Sequence, residues 1–257
     1  MIHLGDHVQL VLRLLNDHLF IIANIANIAN IANIARSSNV QHPGDVANVG
    51  FVNFGNFGNL GNVKVPDWSE LRLRDRIAPG VRVLFVGINP GVRSAVTGHH
   101  FAGFSNRFWK LLRDSKLVPE PITYEEDARL MEWQLGITNL IARPSPGIND
   151  LRPAEYVEGW KILSRKIRRY RPAVVALVGV TLYRAILPLL PDVPPGERRA
   201  ARRSPGHVLG LRPETIHGAR LYVLPNPSGR NANFSYGEML DSFKELALSL
   251  KRRGAQH

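Results

Sequence analysis

The residues best placed to do chemistry sit where an apolar run, Val83-Leu84-Phe85-Val86, stops at Gly87-Ile88-Asn89-Pro90-Gly91. Gly87 lets the backbone turn or a ligand approach, Pro90 fixes φ, and Asn89 is held at the end of a rigid element. An amide held in that way can orient a water, but it cannot act as a general base at neutral pH. Taken alone, Asn-Pro-Gly is better explained by a turn that needs permissive dihedrals. A second apolar run ends similarly, in Val223-Leu224-Pro225-Asn226-Pro227-Ser228-Gly229. Between the two lie Ser94, Phe101 and the segment Asn106-Arg107-Phe108-Trp109, close behind the first motif.

Other chemistries lack their residues. The chain has no cysteine, which excludes disulfides, thiolate-bound zinc and iron–sulfur clusters. His99 and His100 have no partners at ligand spacing, so they read as solvent-facing loop histidines, and Trp109 reads as helix packing with Phe108 and Leu112. No Gly-x-Gly-x-x-Gly or Walker-type loop is present to cradle a nucleotide. Lys and Arg total 33 against 21 Asp and Glu, a formal charge of +12, and that excess favours a polyanionic partner. Arg165, Lys166, Arg168, Arg169 and Arg171 form one basic cluster and Arg198, Arg199, Arg202 and Arg203 another. A charge run is usually a solvated face, but a nucleic-acid substrate would recruit part of it to phosphates.

The elements that must position these residues alternate. Apolar runs at 81–86, 136–141, 173–178 and 220–224 read as buried strands. Helical patterns at 106–115, 124–133, 154–170 and 181–187 lie among them. Thr123 with Glu126, and Ser235 with Glu238, each form a capping box. The second opens a C-terminal helix whose Leu240, Phe243, Leu246 and Leu250 read as core. The class is therefore α/β. Residues 1–62, with their Ile-Ala-Asn repeat, read as a low-complexity, disordered tail preceding a domain at 63–257. The repeat's asparagines and short length speak against a membrane span, and the Asp and His residues before it against a signal peptide. The Pro- and Arg-rich stretch 191–213 reads as a mobile loop that faces DNA.

Gly87-Ile88-Asn89-Pro90-Gly91 followed far downstream by Asn226-Pro227-Ser228-Gly229 resembles the mismatch-specific uracil/thymine-DNA glycosylases of the uracil-DNA glycosylase superfamily. Gly136-Ile137-Thr138-Asn139-Leu140, Arg143-Pro144 and Tyr170-Arg171-Pro172 match in kind and order between them. The resemblance implies a three-layer α/β/α sandwich with a short, mainly parallel sheet. It implies a monofunctional glycosylase that hydrolyses the N-glycosidic bond of uracil, or of thymine or ethenocytosine, mispaired in double-stranded DNA, leaving an abasic site. By the same resemblance Asn89 positions the attacking water, Phe101 stacks on the flipped base and Ser94 lines the pocket near C5 of the pyrimidine. Backbone groups around Ile88 and Phe101 bond the base edge, with Thr138 and Asn226 as further substrate contacts. Asn226 stands where other branches have His, and Asn89 where the fastest branch has Asp; both point to the mismatch-specific branch.

The loop Ser228, Gly229, Arg230, Asn231 would enter the minor groove as a wedge, with Arg230 where bacterial relatives often have Leu. No metal or cofactor is expected. The protein would act as a monomer without membrane contact, cytoplasmic and nucleoid-associated if bacterial. The alternative from another class is a non-catalytic nucleic-acid-binding protein of the same fold, and the intact Asn89 favours the enzyme.

Overall fold

Runs of Val, Leu and Phe with no polar alternation become strands only where both sheet faces are covered. The computed structural model, which describes residues 68–190, 193, 196 and 208–254, shows this arrangement. Strands β1 (Val83–Gly87), β2 (Leu135–Asn139) and β3 (Val174–Val178) are followed by β4 (Gly210–Ile216) and β5 (Ala219–Leu224). Their order across the sheet is β2-β1-β3-β5-β4, parallel except for β4, which runs antiparallel to β5. All five residues of β1 and of β3 are buried. Alternate side chains serve two separate cores: Leu84, Val86, Val175 and Leu177 one, and Val83, Phe85, Val174 and Ala176 the other.

Helices α1 (Val92–Thr97), α2 (Phe108–Asp114), α3 (Pro153–Tyr170), α4 (Val180–Ile186) and α5 (Tyr236–Gly254) complete the three layers. Helix α3 turns Gly159, Leu163 and Ile167 inward at four-residue spacing, and with α4 it covers one face. Helices α2 and α5 cover the other. The expected strands and the three expected helices at 106–115, 154–170 and 181–187 are present within a few residues. The expected helix at 124–133 is instead a succession of 3-10 turns, Tyr124–Trp133, broken at Glu126 (φ −100°, ψ 20°). Both capping boxes form: Glu126 accepts from Thr123 N–H at 3.1 Å and Glu238 from Ser235 N–H at 2.7 Å.

Two elements are not in the sequence reading. Helix α1 follows Gly91 at once, and β4 occupies the end of the stretch expected as a loop at 191–213. Strand β4 is an edge strand, and its pairing slips between Leu211 and Thr215, which accommodates Pro213 where no ladder N–H is required. The rest of that stretch, except 193, 196, 208 and 209, lies outside the described residues, as do the tail at 1–62 and the arginines at 198–203. Among the described residues no helix is long and apolar enough to cross a membrane.

The connection leaving β1 runs over the α2 face to β2, and those leaving β2 and β3 run over the α3 and α4 face. Strands β1 and β3 therefore send their chains to opposite faces. The carboxyl end of the sheet between them is a topological switch point, where an open α/β sheet leaves a crevice for ligands.

Candidate active site

The Asn89 turn occupies that crevice, and its neighbours determine which way the amide faces. Beyond their strands, β1 and β2 stay in register: Leu140 N–H donates to Gly87 O at 2.9 Å, Ile141 N–H to Ile88 O at 2.8 Å and Ser145 N–H to Pro90 O at 3.1 Å. This ladder brings Arg143, Pro144 and Ser145 alongside Asn89. Asn89 Nδ2 donates to Ser145 Oγ at 2.8 Å, Pro90 O at 3.1 Å and Arg143 O at 3.3 Å. Ser145 Oγ is itself spent as a donor, on Gly147 O at 2.6 Å. Every partner is thus an acceptor, so a flipped amide would face three oxygens. The half-buried Asn89 consequently turns Oδ1 away from them, and among the described residues Oδ1 accepts no hydrogen bond.

Arg143 is held in turn by Glu155, with Nε and Nη2 contacts at 2.8 and 2.9 Å. The Arg143 guanidinium brings the Glu155 carboxyl down to about 2, so the pair is ionised at neutral pH. It ties the segment carrying Ser145 to the start of α3.

Phe101 is the second part of the site. Its φ is +52°, a left-handed conformation that costs a bulky residue about 1 kcal/mol or more and persists only where neighbours enforce it. They do. Ala102 N–H donates to Ser94 Oγ at 3.1 Å, Arg93 Nε to Ala102 O at 2.7 Å and Trp109 Nε1 to His100 O at 3.2 Å. The fully buried Asp127 takes His100 N–H at 3.0 Å and the Arg76 guanidinium at 2.8 Å, with His99 Nδ1 at 3.3 Å. One face of the Phe101 ring lies on Phe108, centroids 4.1 Å apart and 22° from parallel. No ring stacks on its other face among the described residues.

The carboxyl end of β2 supplies the third part. Thr138 and Asn139 point to opposite faces of the sheet, as consecutive strand residues must. A Cβ added to Gly87 would lie 2.5 Å from Asn139 Oδ1 and 3.6 Å from Phe101 Cζ, so the Asn139 amide and the Phe101 ring share one side of β1. Asn139 is half-buried, and no side-chain hydrogen bond forms to it among the described residues. Thr138 is on the far side. Its hydroxyl donates to Asp75 at 2.6 Å and accepts from Lys166 of α3 at 3.0 Å, and Lys166 also pairs with Asp75. Thr138 is therefore engaged on the side away from Phe101, and it is its neighbour Asn139 that shares the Phe101 side.

Other expected residues take more specific positions. Ile88 gives its side chain to the core and its carbonyl to Ile141. The Ser94 hydroxyl anchors the Phe101 loop. His100, expected in solvent, is 1% exposed. Burial brings its pKa from 6.5 to about 4, and the neutral ring donates Nε2–H to Arg74 O at 3.0 Å. Trp109 is buried, as expected.

The Asn226 turn leaves β5, two strands from β1 and so about 10 Å away at ordinary strand spacing. It is joined to the Phe101 loop. Arg107 N–H donates to Pro227 O at 2.9 Å, and Gly229 packs so closely on Ser105 that a side chain there would collide. Asn226 is exposed. Its Oδ1 accepts from Ser228 N–H at 3.0 Å, and its carbonyl accepts from Asn231 Nδ2 at 2.8 Å. Arg230 is exposed, with its N–H on Ser228 Oγ at 3.3 Å. These residues wall a groove of about 250 Å³ with Thr181 and Arg184 of α4.

Sequence reasoning missed Asn139, Ser145 and Asp127. Period-two alternation from Thr138 would have found Asn139. Ser145 and Asp127 act through contacts between distant segments, and no local pattern announces them. Among the described residues no cluster of His, Asp and Glu fits a metal ion.

A solution NMR structure of a candidate uracil DNA glycosylase from Methanosarcina acetivorans is similar, at 17% identity, 69% coverage of this chain, 98% coverage of that chain and a TM-score of 0.43. The uracil DNA glycosylase superfamily model matches residues 75–251, more than half of the chain and all five strands of the sheet, and the chain belongs to that superfamily.

Proposed function

We propose that the protein is a monofunctional DNA glycosylase that hydrolyses the N-glycosidic bond of uracil mispaired in double-stranded DNA and leaves an abasic site. The observation that carries this reading is the Asn89 amide, whose donor group is locked on three acceptors while its oxygen has no hydrogen-bond partner among the described residues. Such an oxygen accepts a hydrogen from a water and directs the water's lone pair at the sugar C1′. Because an amide is no base, bond breaking runs ahead of water attack, through an oxocarbenium-like sugar that the DNA phosphates stabilise.

The extruded base stacks on the face of Phe101 opposite Phe108. The Asn139 amide carries one donor and one acceptor side by side, which matches the O4 and N3–H edge of uracil. Reaching that slot requires the nucleotide to leave the duplex, at a cost of a few kcal/mol that a mispair lowers. Ser228, Gly229, Arg230 and Asn231 would fill the vacated space or clamp its flanks. The 250 Å³ groove beside them, with Arg184 and Arg230, suits a phosphodiester backbone. Asn89 and Asn226 at the two motif positions support the mismatch-specific branch.

The test is purified protein on duplexes with one G·U, G·T or G·ethenocytosine pair, followed by alkali cleavage at abasic sites. Strand scission at G·U is expected, with slower scission at the other two. Intact strands with all three would reject the enzyme and leave a nucleic-acid-binding protein of the same fold.

A further inference from the structure

Phe104 is 69% exposed and is the one aromatic among the large apolar side chains that stand exposed in the described residues. The others, at 148, 157, 162, 211 and 248, belong to other elements. Its exposure is not the result of a loose loop. Asn106 N–H closes a turn on Gly103 O at 2.9 Å with Phe104 and Ser105 at the tip, and Arg107 N–H ties the exit of that turn to Pro227 O. The ring itself is also held. The Arg93 guanidinium lies 3.6 Å from its centroid and is fixed on Ala102 O at 2.7 Å and Tyr124 Oη at 3.2 Å. One face of Phe104 is thus backed by a cation, and no ring stacks on the other face among the described residues.

We propose that Phe104 is a second stacking position for DNA, separate from the Phe101 slot, which takes the face of a base flanking the extruded nucleotide. The inference rests on the glycosylase reading and extends it. Three observations fix the kind of partner. Ser105, the next residue, packs on Gly229, so the ring stands at the junction between the Phe101 loop and the loop that carries Arg230. The surroundings are cationic, with Arg93 behind the ring and the exposed Arg230 on the adjoining loop. A lone flat ring backed by a guanidinium suits a nucleobase, whose π-face any sequence supplies, better than it suits an apolar protein surface.

The experiment compares native protein with Phe104→Ala, Phe104→Leu and Phe104→Tyr. Affinity is measured on a G·U duplex whose uridine carries 2′-fluorine and resists cleavage, and uracil release on the ordinary duplex. Melting midpoints should match the native one, since the ring is mostly solvated. Removing one base–aromatic stack should weaken duplex binding roughly tenfold in the alanine variant. Leucine should lose as much as alanine, because it is apolar without a π-face, and tyrosine should stay near native. Native-like binding by the alanine or leucine variant, alongside normal uracil release by native protein, overturns the stacking role and leaves the glycosylase reading intact. If native protein releases no uracil from any duplex, the glycosylase reading fails and this inference with it.

Discussion

Replacing Gly87 by alanine adds one methyl group at the carboxyl end of β1, in a place that separates stability from chemistry. Gly87 has no positive φ, so alanine fits the strand backbone and gains about 0.5–1 kcal/mol from the stiffer unfolded chain. The new Cβ would lie 2.5 Å from Asn139 Oδ1, and its next contacts, Asn139 Cγ and Phe101 Cζ, are at an ordinary 3.6 Å. Only the Asn139 amide must move, by about 1 Å to restore van der Waals separation. It has no side-chain hydrogen bond to lose among the described residues, so the cost to the fold is small and the melting midpoint should stay within a few degrees of native. A displacement of about 1 Å in a positioning group costs roughly a hundredfold in rate. Single-turnover release of uracil from a G·U duplex, read beside a thermal melt, measures both. Native-rate release with an unchanged melt would refute the assignment of Asn139 to the base edge, and collapse of the fold would refute the steric argument.

The buried His100 predicts an acid-sensitive fold. Burial holds it neutral with a pKa of about 4, whereas in the unfolded chain it takes a proton near 6.5. Its contribution is whole above pH 6.5 and is lost as pH falls toward 4, up to about 3 kcal/mol in all. Urea unfolding at pH 7 and pH 4.5 should therefore show a larger loss in native protein than in His100→Gln; equal losses would contradict it. Arg230→Ala should lower the slope of log duplex affinity against log salt by about 0.9 if the side chain neutralises one phosphate. An unchanged slope in a salt titration would remove Arg230 from the DNA interface.

Much of this was legible in the sequence because the strands are short, apolar and ended by glycine or proline. Val83 to Val86 and Val174 to Val178 have no helical or alternating pattern that competes with a buried strand. The alternation of strands and helices implies an open α/β sheet, with Asn89 at the carboxyl end of one of its strands. Strand β4 escaped because Pro213 and the charges at Arg212 and Glu214 read as loop, and an edge strand with a slipped register tolerates them. Thr138 and Asn139 both lie in one matching segment, and only strand periodicity says which of the two faces Phe101. Asp127 was invisible because it sits in Tyr124-Glu125-Glu126-Asp127, where one acid looks like the next. Burial against Arg76, His99 and His100 is a tertiary fact, and so is the Ser145 contact that orients Asn89.

The central claim is that Asn89 Oδ1 directs a water at C1′. It is tested most directly by single-turnover uracil release from a G·U duplex with native protein and Asn89→Ala, with duplex affinity measured on the 2′-fluoro substrate. Loss of a group that positions the nucleophile should slow release by roughly 10²–10⁴ while affinity stays within a few-fold of native. Release by the alanine variant at near-native rate would contradict the claim.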